Sequence, residues 1–383
     1  MAVEGVRRPA WAEISASAIG HNVRALKRVV GETALCAVVK ANGYGHGAPL
    51  VAAAALDAGA DSLAVAIVDE GIELRKSGIT VPILLLAEIP AATIRDALRY
   101  DLTLTIGSPD GARDAVAAAH ELRGRHRAHV KVDTGMHRMG VAPSGVDEVF
   151  DTLASSPTLE TEGLFTHFSV ADGASEDDRA FTRVQIDRFN DVITHLRDRG
   201  QLPRVIHAAN SAGALGYPDA RYSMVRVGLS LYGYVPDPWL AAALADVGEH
   251  LEVALTLRAR VVAARRVKAG ARPSYGRRRE TTRDTTVVTV PFGYADGYPR
   301  RLFDGGAEVL INGRRYPLAG GVTMDQLIVD VGDDDVKVGD EVILLGRQGD
   351  EVITADELAR GADTITWEIL ACLGARVPRV VVD

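Results

Sequence analysis

The chain has 383 residues, 47% of them hydrophobic and 25% charged, an ordinary globular balance with length for two domains. Its formal net charge of −8 disfavours nucleic acid or an anionic membrane surface as the main partner. The one dense basic cluster, Arg277-Arg278-Arg279, is short and reads as a solvated loop.

In chain order, the first part alternates short β-type runs with longer helical patterns. Strands are predicted at 35–39, 62–66, 83–87, 102–106, 129–132, 163–166, 205–208 and 224–231. Most are near-continuous apolar runs, as expected for strands of a parallel sheet covered on both faces. Helices are predicted between them, among them 48–58, 109–123 and 177–199. Eight strands with helical connections predict a (β/α)8 TIM barrel. A doubly wound sheet competes, but no G-x-G-x-x-G follows the first strand. After Pro236 and Pro238 a mainly helical stretch is predicted from Trp239 to about His250. Strands follow at 256–262, 286–291, 308–311, 327–331 and 341–345, separated by turn signals such as Asn312-Gly313, and then a short helix at 355–360. The expected fold class is α/β plus β. A barrel spans 12–244, and an all-β domain spans 245–383 with residues 1–11.

Two cysteines, Cys36 and Cys372, supply neither a disulfide framework nor a metal-ligand spacing, so no metal is expected and a reducing compartment is the simplest reading. Residues 1–12 lack a signal-peptide layout, and the richest apolar run, 81–87, is too short to span a bilayer. A soluble cytoplasmic protein is expected.

Lys40 closes the apolar run of the first strand and precedes Gly43, Gly45 and Gly47. Burial at a strand end lowers an amine's pKa and makes it a better nucleophile toward a carbonyl. That fits a Schiff-base lysine for pyridoxal 5'-phosphate (PLP), against the plain reading of a lysine reaching solvent before a turn. In a (β/α)8 barrel the site lies at the C-terminal strand ends. Those ends carry Lys40, 131–138, His167, Asn210-Ser211 and 226–228. Taken singly, His167 reads as a core histidine and Arg226 as a paired surface arginine; the signal is the set.

These residues lie in segments that together resemble the alanine racemase family. They are Ala37-Val38-Val39-Lys40-Ala41-Asn42-Gly43-Tyr44-Gly45-His46-Gly47, Lys131-Val132-Asp133-Thr134-Gly135-Met136-His137-Arg138-Met139-Gly140, Asn210-Ser211, Val225-Arg226-Val227-Gly228, Ser274-Tyr275-Gly276, Gly293-Tyr294-Ala295-Asp296-Gly297-Tyr298-Pro299 and Met324-Asp325. The resemblance covers nearly the whole chain. It implies an N-terminal barrel, a C-terminal β domain, and a homodimer in which each active site is completed by the partner's C-terminal domain.

The resemblance implies that Lys40 holds PLP and acts as one base, and that Tyr275 from the other subunit is the second. Racemisation needs a base on each face of the α-carbon. An unperturbed tyrosine, with a pKa near ~10, is a weak base, and Arg226 and His167 resemble the residues that favour its phenolate. Arg226 also resembles the partner of the pyridine nitrogen; as it does not give up its proton, that nitrogen stays unprotonated. Tyr44, Asn210, Ser211 and Gly228 match phosphate-binding positions, Arg138 matches the residue for the substrate carboxylate, and the Met324 N–H assists. Lys131 matches a position that is carbamylated in many members, where the resulting anion orients the arginine.

Two segments depart from the family pattern. Trp367 stands where a tyrosine usually narrows the substrate entrance and bonds the phosphate, so a weaker phosphate grip is expected. Arg277 to Arg279 replace residues that are more often Thr and an aromatic. The implied activity is interconversion of L- and D-alanine for peptidoglycan. Competing readings are a broader-specificity racemase, a PLP-dependent aldolase or transferase of the same fold, and a PLP carrier built from the barrel alone. Arg226 argues against a decarboxylase, and the complete second domain argues against a carrier.

Overall fold

The computed structural model describes residues 7–383, so the first six residues of segment 1–11 lie outside the described residues. Two compact units emerge. One comprises Ser17–Gly43 and Ala48–Glu252; the other comprises residues up to Ala16, Tyr44–Gly47 and Val253–Asp383.

The first unit is a (β/α)8 barrel. Its strands are Ala34–Val38, Ser62–Val65, Ile83–Leu85, Leu102–Ile106, His126–Lys131, Leu159–Phe165, Val205–His207 and Met224–Val227. All ladders are parallel, and the last strand pairs back onto the first. Hydrogen bonds from Arg226 N to Ala209 O (2.9 Å) and Ser223 N to Ile206 O (3.1 Å) draw the seventh and eighth strands together. The first four strands are mostly apolar because helices cover one face and the barrel core the other, whereas the last four carry polar side chains into that core. Helix starts follow local chemistry. Ser108 Oγ accepts from Gly111 N at 2.9 Å ahead of Pro109–Glu121, and Ser175 Oγ accepts from Asp178 N at 3.1 Å ahead of Glu176–Asp198.

Three differences from the sequence expectation have physical causes. The run 224–231 splits, because Gly228 (φ −107°, ψ −92°) leaves the extended region and Leu229–Tyr232 coils into a 3₁₀ turn. Burial on all sides hides that break from periodicity. Strands five and six begin earlier than expected, at His126 and Leu159, since their first turns carry polar residues. The stretch 239–250 is helical only over Pro238–Ala241 and Ala242–Ala245 before Gly248 (φ 73°) ends it.

The second unit is mainly β. One sheet runs Arg314–Pro317, Glu308–Ile311, Glu341–Gln348, Leu255–Arg260, Ala10–Ile14 and Arg379–Val381, with Glu351–Ile353 beside Glu341–Gln348. A second sheet holds Ala263–Val267, Thr285–Val290 and Leu327–Gly332. Arg8 forks onto Asp296 at 2.7 and 3.1 Å; that carboxylate is fully buried and also accepts from Gly293 N. Among the described residues no helix is long and apolar enough to cross a membrane.

Candidate active site

The buried first strand delivers Lys40 to the C-terminal rim of the barrel, the face on which such barrels build sites. Ala41 (φ 52°, ψ 50°), Asn42 (53°, 47°) and Gly43 (60°, 46°) then form a left-handed turn. For the two residues with a Cβ this costs about 1–2 kcal/mol each, so neighbours must hold it. Glu70, which sequence reasoning missed, does so. Its Oε1 accepts from Ala41 N at 2.6 Å and its Oε2 from Ala66 N at 2.8 Å. The only sequence trace of this clamp is an acidic pair, Asp69-Glu70, in a helix first turn. Asn42 Oδ1 accepts from Ala48 N at 3.0 Å. Burial, then the nearby Arg138 cation, push the Lys40 amine below its ordinary pKa, while Glu70 opposes them.

Lys131 ends the fifth strand, buried, donating to Met139 O at 2.7 Å. Burial first, then Arg138 and Arg226, push its amine down to about 8. The following loop is wound around Asp133, whose Oδ1 accepts from Gly135, Met136 and His137 N at 2.9, 2.9 and 3.1 Å. That winding sets out Arg138, which is exposed.

Arg226, on the eighth strand, is only 2% exposed. Its guanidinium donates to His207 Nδ1 (2.7 Å), Thr166 O (2.9 Å), Ala208 O (2.9 Å) and His167 Nδ1 (3.1 Å). These acceptors are all neutral, and burial pushes the guanidinium down to about 10. Its four hydrogen bonds all run from the two terminal nitrogens, so its Nε–H is not used by the protein among the described residues. Because an arginine only donates, the imidazole tautomers follow. His167 accepts on Nδ1 and carries its proton on Nε2. His207 does the same and donates from Nε2 to His129 Nδ1 at 2.8 Å; His129 then donates from Nε2 to Glu162 Oε2 at 3.0 Å. Glu162 ends on Arg204. Strands five to eight thus each give one polar side chain to a chain of bonds ending on Arg226. His129, His207 and Glu162 were not singled out from sequence. The available signal was the spacing of His129 and Lys131, which puts both on one face of a strand.

Burial and then Arg226, Arg138, Lys131 and Lys40 hold His167 well below its ordinary pKa. One imidazole thus feels four basic side chains, so all four lie within electrostatic reach of it, Arg226 in direct contact. Asn210 Oδ1 caps Ser211–Gly216 through Gly213 N at 2.9 Å. Ser211 Oγ accepts from Gly228 N at 3.0 Å and Ser230 N at 3.3 Å, which leaves its O–H to donate. The barrel unit therefore brings together Lys40, Lys131, Arg138, His167 and Arg226, and it separately joins Asn210, Ser211 and Gly228.

Tyr44, Tyr275, Met324 and Trp367 belong to the second unit. Tyr44 is buried, which pushes its phenol up to about 12. Trp367 is half-buried at the start of Thr366–Ala371. Tyr275 is 77% exposed on a loop in which Ser274 (φ 67°), Gly276 (74°) and Arg277 (47°) are left-handed. Ser274 Oγ donates to Gly321 O at 2.6 Å, and a Cβ on Gly320 would meet Pro273 O at 2.4 Å, so the loop seats on a glycine pair. Tyr275 and Met324 line one concavity of about 670 Å³ with Tyr294, Arg300, Asp325 and Gln326. Ala295 N donates to Met324 O at 3.0 Å, and a Cβ on Gly293 would meet that same oxygen at 2.4 Å. Arg278 pairs with Asp304 and covers Phe303, and Arg279 donates to Leu318 O at 2.7 Å. Two of the three arginines thus brace their own unit.

The family model for the alanine racemase N-terminal domain matches residues 14–236, and that for the C-terminal domain matches residues 254–381. An alanine racemase of Symbiobacterium thermophilum is 45% identical, over 99% of this chain and 98% of its own. Alanine racemase 1 of Bacillus subtilis is 40% identical, over 100% and 95%. The crystal structure of a Bacillus anthracis alanine racemase with bound L-Ala-P superposes with TM-score 0.92 at 36% identity, over 99% of this chain and 96% of that one. The alanine racemase of D-cycloserine-producing Streptomyces lavendulae gives 0.91 at 36% identity, over 99% and 98%.

Proposed function

The chain belongs to the alanine racemase family of isomerases, and from that premise we propose that it interconverts L- and D-alanine with PLP, using Lys40 and Tyr275 of the partner subunit as the two bases. The observation that carries the reading is the buried Arg226, its Nε–H unused by the protein, within electrostatic reach of the same His167 as Lys40, Lys131 and Arg138. Such a set suits a ligand with an aromatic acceptor nitrogen and several anionic groups.

When bound, PLP supplies the electron sink that acidifies the α-hydrogen of the amino acid. Lys40 Nζ is the attachment point and takes or returns the α-proton on one face; its depressed pKa favours the neutral amine for both tasks. Tyr275 Oη acts on the other face. Arg226 donates to the ring nitrogen and keeps its proton, so the sink stays modest and competing bond cleavages are suppressed. His167, uncharged and fixed by Arg226, offers its Nε2–H toward the phenolate. Asn210, the Ser211 hydroxyl, Gly228, Tyr44 and Trp367 hold the phosphate, and Arg138 with the Met324 N–H holds the substrate carboxylate. The neutral Lys131 amine, populated near pH 8, adds to carbon dioxide and loses one proton to solvent, and the carbamate so formed orients Arg138. The product serves peptidoglycan in the cytoplasm.

Tyr275 and Met324, both large and exposed beside one concavity, support a homodimer that covers this face. The test is chiral chromatography of L-alanine, L-serine and L-lysine incubated with PLP-loaded protein. Rapid D-alanine formation is expected. Turnover of a different member of the panel would redirect the substrate assignment to the pocket around Trp367, and a yellow protein inert on all three would overturn the racemase reading.

A further inference from the structure

Away from the barrel rim, His21 on helix Ala16–Val30 faces the segment that ends the barrel unit at Glu252. His21 Nε2 lies 2.9 Å from His250 O. A carbonyl only accepts, so Nε2 carries the proton and Nδ1 presents a lone pair. That Nδ1 is 3.8 Å from Glu252 Oε1, and His250 Nε2 is 3.8 Å from the same oxygen. Donor atoms of the three side chains all lie within 4.8 Å of one another. These gaps are too long for direct hydrogen bonds. The two 3.8 Å gaps are slightly wider than the roughly 3.4 Å edge of a tetrahedron with bonds of about 2.0–2.1 Å, and the third is at most 4.8 Å, so rotation of the exposed His250 side chain closes the set on one ion.

The surroundings are built for it. Asn22, fully buried, locks the Glu252 backbone from both sides, accepting from its N at 2.7 Å and donating to its O at 2.8 Å. The His21 N–H on a backbone carbonyl is the outer bond that orients metal-bound histidines. Glu249, nearly buried and paired with Arg28, lies 4.0 Å from His21 Nε2, on the side of the ring turned away from the ion, where it favours the proton on that nitrogen. Two imidazoles and one carboxylate suit Zn²⁺ or a neighbouring first-row dication, with water completing the shell.

We propose that His21, His250 and Glu252 form a divalent transition-metal site that staples the barrel's first helix to the segment leaving the barrel. The cysteine count could not reveal it, because the ligands are imidazoles and a carboxylate, and His21 lies more than two hundred residues before His250 and Glu252. The site lies outside the proposed chemistry, so racemisation does not depend on it.

The experiment is calorimetric titration of the chelator-stripped full chain with Zn²⁺, repeated with Co²⁺ for its visible spectrum. One ion per chain is expected, with a four- or five-coordinate Co²⁺ band and a Tm that rises with Zn²⁺ concentration. His250→Gln, at an exposed position, and Glu252→Gln should each weaken binding at least tenfold without lowering the Tm of the metal-free chain. Absence of saturable binding would overturn the proposal, as would a stoichiometric site left intact in both variants.

Discussion

Lys131 is a cation where the fold does not favour one. Its ordinary amine pKa is 10.5 and burial, then Arg138 and Arg226, bring it to about 8. Between those values the unfolded chain binds more protons than the folded one, so in the absence of cofactor and of carbon dioxide, which would convert the amine to a carbamate, stability should rise with pH from about 8 to about 10.5. Lys131→Met should flatten that rise. Urea midpoints across the window measure it, and an unchanged slope would remove Lys131 as its source. Tyr275 allows a sharper separation of roles. Its ring is exposed and its hydroxyl holds up no packing, so Tyr275→Phe should leave PLP absorbance and Tm intact. Racemisation should fall by about 10²–10⁴, the usual contribution of a positioned proton-transfer group. Retention of full activity would move the second base elsewhere. At position 367, Trp367→Tyr should tighten PLP binding several-fold, since tryptophan lacks the hydroxyl. Equal affinities in equilibrium dialysis would mean that residue 367 does not touch the phosphate.

At the scale of the element, strands five to eight share the polar chain Glu162, His129, His207 and Arg226, and its geometry depends on a glycine. A Cβ on Gly163 would lie 2.6 Å from the His129 ring. Gly163→Ala should therefore turn that ring, break its bonds to His207 and Glu162, and destabilise the barrel by about 1–3 kcal/mol. The PLP spectrum should shift too, because Arg226 loses its fixed partner. A variant with wild-type Tm and spectrum would show the chain to be slack. The legibility of the barrel has the same root. Strands such as Leu102–Ile106 were readable because both faces are buried, which writes an unbroken apolar run into the sequence. Strand-end clusters marked Lys40, Lys131, His167, Asn210 and Arg226. Residues behind them stayed hidden: Glu70, His129 and His207 act through hydrogen bonds to residues 29, 33 and 19 positions away, and a spacing rule sees only neighbours. In the second unit, strands such as Ala263–Val267 and Arg379–Val381 are too short and too little buried to write an alternation into the sequence.

At the scale of the whole molecule, the issue is why a tyrosine proposed as a base should be 77% exposed. Left-handed residues on both sides of it and the Gly320-Gly321 seat hold its backbone, so the ring is displayed rather than loose. A displayed ring over a concavity that also exposes Met324 implies a covering surface, and in a twofold homodimer that surface is supplied reciprocally. The arrangement has an arithmetic consequence. If each site takes Lys40 from one subunit and Tyr275 from its partner, then Lys40→Ala and Tyr275→Phe chains are inactive as separate homodimers. Reassembled together from dissociated subunits in equal amounts, half the dimers are mixed. Each mixed dimer contains one site with both bases intact and one with neither, so activity should recover to about one quarter of wild type. Recovery should track the fraction of mixed dimers as one chain is varied against the other. Mixed dimers, identified by two different affinity tags, that show no recovery would place both bases on the same chain and leave Tyr275's exposure without a catalytic explanation.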